Sequence, residues 1–214
     1  MKRYLLLLFI SSFLSSCVTQ SQLIDTNDPY KKIQNIKLLQ YVHAKSAERD
    51  KGVMVSKDYW VTATYLFEQA EDGNSVVGVE FNLTVPLGVD DMDSVAFINL
   101  DGEVIRMMAG KLRQNQIAMQ TETTDKSGDS SETKATNITT SNYQLIKCRF
   151  PIQENLWASI KNTRQIKYRI YLGKDGFDMV LSRSQNVRLN HFFELALSRR
   201  DASKPPLPEG KMKW

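Results

Sequence analysis

From Val77 to Val85 every second residue is apolar: Val77, Val79, Phe81, Leu83 and Val85 alternate with Gly78, Glu80, Asn82 and Thr84. A two-residue period puts the two sets on opposite faces of an extended chain, so the stretch reads as a strand with one buried face and one wet face. The same period runs through Tyr59, Val61, Ala63, Tyr65 and Phe67 against Trp60, Thr62, Thr64 and Glu68, and again through Ile146, Cys148 and Phe150. Such strands must pair with others to bury their apolar face. Two Asp-Gly pairs predict where the chain reverses. Asp101-Gly102 lies between Asn99-Leu100 and Glu103-Val104, and Asp175-Gly176 lies between Ile166-Tyr168-Ile170-Leu172 and Phe177-Met179-Leu181.

Helical signals are fewer. Pro151 to Lys161 carries Ile152, Leu156 and Ile160 at four-residue spacing, with Pro151 suited to a first turn. Ser184 to Arg200 presents Leu189, Phe192, Phe193 and Ala196 as one apolar stripe. Ser182-Arg183-Ser184-Gln185 before it has the spacing of a capping box, and Arg199-Arg200 suit the negative end of a helix. Asp28-Pro29 fits a short helix start, while Ile33 to Val42 fits helix or strand equally. Strands in succession followed by a late helix predict a mainly β fold, an antiparallel sandwich-like sheet with one or two helices including a C-terminal one; an α+β arrangement is the alternative.

The ends and one internal segment lack this patterning. Thr121 to Ser141 is rich in Thr, Ser, Asp and Lys, with no large apolar residue before Ile138; it cannot bury enough to offset its ordering entropy and is expected as a mobile loop or a long hairpin tip. Val18 to Asp28 is polar and without period, a tether that as a random coil spans on the order of 20 Å. Lys204 to Gly210 is kept extended by its prolines and leads to Trp214. The expected division is residues 1–16 as a signal peptide, 17–30 as tether, 31–200 as one β-rich domain and 201–214 as a Pro-rich tail.

The amino terminus carries the most specific motif. Met1-Lys2-Arg3 is followed by an apolar run from Tyr4 to Leu14, interrupted only by Ser11 and Ser12. That is the order of a secretory signal, and the run is too short for the roughly 20 residues of a membrane-crossing helix. It ends in Leu14-Ser15-Ser16-Cys17, which resembles the lipobox of bacterial lipoproteins. The resemblance implies cleavage before Cys17, acyl chains (palmitate among them) on its sulfur, and acylation of the new amino terminus. More than one chain is needed for a stable anchor. Val18-Thr19, rather than Asp, after the cysteine implies the outer membrane of a two-membrane cell, with the domain facing the periplasm. In a single-membrane cell the same anchor implies the outer face of the cell membrane.

The formal net charge of +4 includes Lys2 and Arg3, which leave with the signal, so nucleic acid is not an expected partner. Charged residues at 24% and hydrophobic ones at 42% suit a globular domain. With Cys17 acylated, Cys148 has no disulfide partner in the chain and reads as a buried core thiol. His191 and Glu194 share a helix face but offer two ligands where zinc takes three or four. Asp90-Asp91-Met92-Asp93 lacks the glycine and terminal glutamate of a calcium loop and reads as a solvated turn. No nucleophile elbow, phosphate-binding loop or zinc-protease motif is present, and no cofactor is implied. The best binding candidate is Lys167, Arg169 and Tyr171, a basic and aromatic face of one strand suited to an envelope protein, an acidic glycan or a lipid head group. The expected function is therefore a non-enzymatic envelope binding or assembly factor. The alternative is a lipid-anchored hydrolase that assembles His43 or His191 with Ser and Asp in space.

Overall fold

A computed structural model describes residues 21–28, 30, 33–46, 58–124 and 136–203. Its elements are β1 (Gln22–Asp28), β2 (Ile33–Ser46), β3 (Asp58–Gln69), β4 (Ser75–Pro86), β5 (Val95–Leu100), β6 (Glu103–Met108), β7 (Lys111–Thr124), β8 (Thr136–Ile152), α1 (Glu154–Asn162), β9 (Ile166–Leu172), β10 (Asp175–Val180) and α2 (Arg183–Ser203). Among the described residues the fold is mainly antiparallel β with two helices, the later one, α2, following the last strand, as the patterning predicts. The sandwich-like arrangement is realised by one continuous sheet in the order β6-β5-β9-β10-β2-β3-β4-β8-β7, with β1 on the side of β2.

Chain connectivity forces that sheet to curl. Its two edge strands, β6 and β7, are joined by only Ala109 and Gly110, so the edges must come together. At that corner the Ala109 N–H donates to the Ser94 carbonyl at 2.7 Å and the Gly110 N–H to the Arg149 carbonyl at 2.8 Å. The interior shows the same closure. β9 and β4 are four strands apart, about 19 Å in a flat sheet, yet the rings of Tyr168 and Phe81 lie 5.3 Å apart.

The alternating residues supply the interior. Leu38, Tyr65, Val79 and Phe150 form one row across β2, β3, β4 and β8, and Ile36, Phe67, Val77 and Ile152 form the next. All eight are buried. Helix α2 covers them with Leu189, Phe192, Phe193 and Ala196, each fully buried; Phe192 meets Tyr65 at 6.1 Å. The capping box forms as expected: Ser182 N–H donates to Gln185 Oε1 at 2.8 Å, and Gln185 N–H to Ser182 Oγ at 3.3 Å. The capped turn is then fixed to β2, since Gln185 Nε2 donates to the Tyr41 carbonyl and Gln40 Nε2 to the Gln185 carbonyl.

Several expected boundaries move. Residues 22–28, expected within the tether, pair with β2 along its free side; their exposed sequence shows no period because pairing, not burial, makes them a strand. No helix starts at Asp28, which ends β1 and accepts the Tyr30 N–H at 3.0 Å. Ile33 to Val42 is strand, with Ile36, Leu38 and Val42 inward. Pro151 and Ile152 belong to β8, and α1 starts at Glu154 with Trp157 and Ile160 buried. Pro151 is tolerated because the missing N–H lies on the β7 side of the strand, and β7 pairs no further than Arg149. Of the expected loop, 121–124 and 136–141 are paired strand, the hairpin form of that expectation; residues 125–135 lie outside the described residues. Helix α2 runs on to Ser203, three residues into the expected tail.

The hairpin at Asp101-Gly102 is a two-residue turn with φ of 50° and 109°, both positive as a type I′ turn requires. The second hairpin turns two residues earlier than the Asp-Gly pair suggests. Asp175 and Gly176 are paired with Leu172 and Tyr171, and the turn is Gly173-Lys174, with Gly173 at φ 60°. A side chain at Gly173 would also collide with the Asp90 carboxylate.

Candidate functional site

Strand β9 divides its residues cleanly. Ile166, Tyr168, Ile170 and Leu172 point into the core, which leaves Lys167, Arg169 and Tyr171 on the outer face. Antiparallel register builds walls around them. Asn99 and Phe97 on β5 stand opposite Lys167 and Arg169; Val180 and Asp178 on β10 stand opposite the same two residues on the other side; Val104 on β6 lies beyond Asn99. The result is an outer groove of about 460 Å³. The three expected residues therefore share one site, and the sequence missed Phe97, Val104, Asp178 and Val180, which only cross-strand register brings to it.

The groove's charges are unequal. Arg169 Nε donates to Asp178 Oδ1 at 2.8 Å and Nη2 to Oδ2 at 3.1 Å, a two-point pair. Donating these hydrogen bonds to Asp178 raises the guanidinium pKa above its ordinary value. Its charge is thus matched within the protein. Lys167 is exposed, and among the described residues nothing pairs with it. The Tyr171 ring meets Phe97 edge-on at 6.3 Å. Apolar walls with one available cation suit a ligand that carries a negative or strongly polar group on an apolar or ring-shaped body.

A second depression, about 610 Å³, lies where α2 begins, between Thr163, Arg164, Arg183, Asn186, Val187 and Asn190. Its amides close the fold. Asn186 Nδ2 donates to the Arg164 carbonyl at 2.9 Å and Asn190 Nδ2 to the Thr163 carbonyl at 3.2 Å. Among the described residues neither Oδ1 atom, both sealed from solvent, has a hydrogen-bond partner.

The other chemical candidates are dispersed. His43 stacks on Trp60 at 5.0 Å and its Nε2 lies 3.5 Å from Asp58; His191 lies 3.4 Å from Glu194 on the exposed side of α2. Neither histidine lines the two cavities described. Among the described residues no three His, Cys, Asp or Glu side chains gather as a metal site. Asp90, Asp91 and Asp93 are exposed, as expected of a turn, but the segment also braces the β9–β10 hairpin: Asp93 N–H donates to the Tyr171 carbonyl at 2.9 Å and Gly173 N–H to the Asp91 carbonyl at 3.1 Å. Cys148 is fully buried, and burial, with the Asp93 carboxylate adding to it, pushes its thiol up to about 11. Cys17 and the segment before it lie outside the described residues, as do residues 204–214. No described helix is long and apolar enough to cross a membrane.

Compared with known protein families, with curated proteins and with solved structures, the chain matches none.

Proposed function

We propose that this chain is an envelope lipoprotein, held to a bacterial membrane by acyl chains on Cys17, whose β domain binds a partner without catalysing a reaction. The observation that carries the reading is Leu14-Ser15-Ser16-Cys17 at the end of a basic and apolar leader. A two-membrane cell then directs the protein to the outer membrane, facing the periplasm. The groove around Lys167, Arg169 and Tyr171 supports the binding part, because it combines apolar walls with a cation that has no partner among the described residues. Its ligand is an envelope protein or glycan bearing acidic groups. The hydrolase alternative gains no support from the histidines, each of which sits on an exposed surface beside one carboxylate.

Two measurements test this. Labelled palmitate enters the parent and not a Cys17→Ser form, which also leaves the membrane fraction; equal labelling and fractionation of the two would remove the anchor. Separately, proteins or glycans that co-purify with the detergent-solubilised parent are lost from a Lys167→Glu, Tyr171→Ala form with unchanged circular dichroism. A partner retained at parental yield by that form binds elsewhere. Cleavage of an ester, peptide or glycan substrate by the pure domain would replace the binding reading with the enzymatic one.

A further inference from the structure

Beside the groove, the outer face of β10, β2 and β3 exposes an apolar patch. Trp60 is 67% exposed, Val180 48% and Tyr41 40%. His43 and Trp60 are directly opposite in the β2–β3 register, and their rings stack. Tyr41 lies two residues along the same face of β2. Val180 follows Met179, which pairs with Ala44, so Val180 flanks His43 on its other side. The carboxylates of this face are engaged, Asp58 near His43 and Asp178 with Arg169, while Lys45 and Lys167 are exposed cations.

The chain's entry point sits next to this patch. Gln22 pairs with Leu39, two residues from Tyr41, and the carbonyl of Ser21 accepts a hydrogen bond from Arg188 Nη1 at 2.9 Å. Cys17 precedes Ser21 by four residues, which span at most about 14 Å even when fully extended. Because residues 22–28 are a paired strand rather than a loose tether, the anchor cannot let the domain stand far from the bilayer. Tryptophan and tyrosine favour the boundary between head groups and acyl chains, and lysines nearby attract anionic head groups.

We infer that the face formed by Tyr41, His43, Trp60 and Val180 lies on the bilayer surface, in contact with anionic phospholipid. The inference rests on the lipid anchor at Cys17 and adds the orientation that the short tether imposes. It places the mouth of the Lys167–Arg169–Tyr171 groove at the membrane boundary, since Val180 belongs to both surfaces.

The test replaces the natural anchor, so that its outcome does not depend on acylation of Cys17. The chain from Val18 onward, which holds every described residue, carries an amino-terminal histidine tag. It is captured on phosphatidylethanolamine–phosphatidylglycerol vesicles containing a nickel-chelating lipid. Emission of Trp60 is taken as the difference between the parent and Trp60→Phe. Bromines on the upper acyl-chain carbons, which lie at the depth an interfacial side chain reaches, are expected to cut that emission roughly two-fold. Val180→Asp is expected to abolish the quenching while leaving capture unchanged. Trp60 emission that bromination leaves unaltered overturns the inference, and so does quenching that Val180→Asp does not change. Trp60 that is unquenched on vesicles but shielded from iodide in whole-envelope extract assigns the face to a protein partner instead. Failure of the anchor reading appears only in the palmitate experiment.

Discussion

The two faces of β9 pass through the same seven residues and meet different physics. Inside, Tyr168 is sealed among Tyr65 and Phe81, and its hydroxyl accepts a hydrogen bond from that of Tyr65, at 3.2 Å. Outside, one residue away, Arg169 is paired with Asp178 while roughly two-fifths of each side chain remains exposed. Burial makes the inner contacts costly to disturb, because a lost partner there is not replaced by water. Exposure makes the outer contacts cheap in stability and free to serve recognition. The contrast predicts that stability and binding separate by face, and each of the following substitutions can break or sharpen that division.

The largest effect is expected at Phe192, whose ring fills the interior against Tyr65 and Phe193. Phe192→Ala should cost about 3–5 kcal/mol in urea unfolding, whereas Phe97→Ala in the outer groove should cost under about 1 kcal/mol. Comparable losses would erase the distinction between the faces. Next is Tyr168→Phe, which leaves the Tyr65 hydroxyl buried and alone; about 1–3 kcal/mol should be lost, and adding Tyr65→Phe should recover most of it. A double mutant no better than the single would show that the hydroxyl pair is not what matters.

Cys148 sharpens the comparison through pH. Its thiol pKa is raised from 9.0 to about 11 in the folded chain, so between those values the unfolded state has released a proton that the folded state keeps. Stability from this group is therefore complete below about pH 9 and declines as pH rises through 11, by on the order of 3 kcal/mol in all. The decline should be absent from Cys148→Ala when the two are unfolded in parallel, and iodoacetamide should label Cys148 only after unfolding. Loss of the cap in Ser182→Ala should lower stability by about 1 kcal/mol, seen as a reduced urea midpoint with unchanged slope. The smallest stability change belongs to Arg169→Ala, under about 1 kcal/mol. That form should nonetheless lose whatever co-purifies through the groove, because Asp178 is left as an unmatched negative charge beside Lys167.

Where one face of a strand is buried, the sequence is readable. Val77 to Val85 and Tyr59 to Phe67 show their inward residues by alternation alone, and Ser182 with Gln185 marks the start of α2 because capping is local chemistry. Lys167, Arg169 and Tyr171 are legible as one outer face for the same reason. Their groove is not, since Phe97, Val104, Asp178 and Val180 join it by register with strands far away in the chain. β1 and Pro151 depart from their local patterns in opposite ways. Gln22 to Asp28 has no pattern but finds an open backbone edge on β2, whereas Pro151 looks like a helix start but occupies a strand position whose missing N–H faces no partner.

By itself the sequence determined an antiparallel β protein with a capped C-terminal helix, because alternation, turns and caps are effects of neighbours a few residues apart. It also contains the Cys17 motif, on which the proposed membrane attachment depends. Only the tertiary structure decided that the ten described strands join in one sheet, that two residues between β6 and β7 make it curl, and that residues 22–28 pair with β2. Those outcomes depend on which backbone edges are left unpaired once every strand has buried its apolar side, a condition that no local stretch of sequence carries.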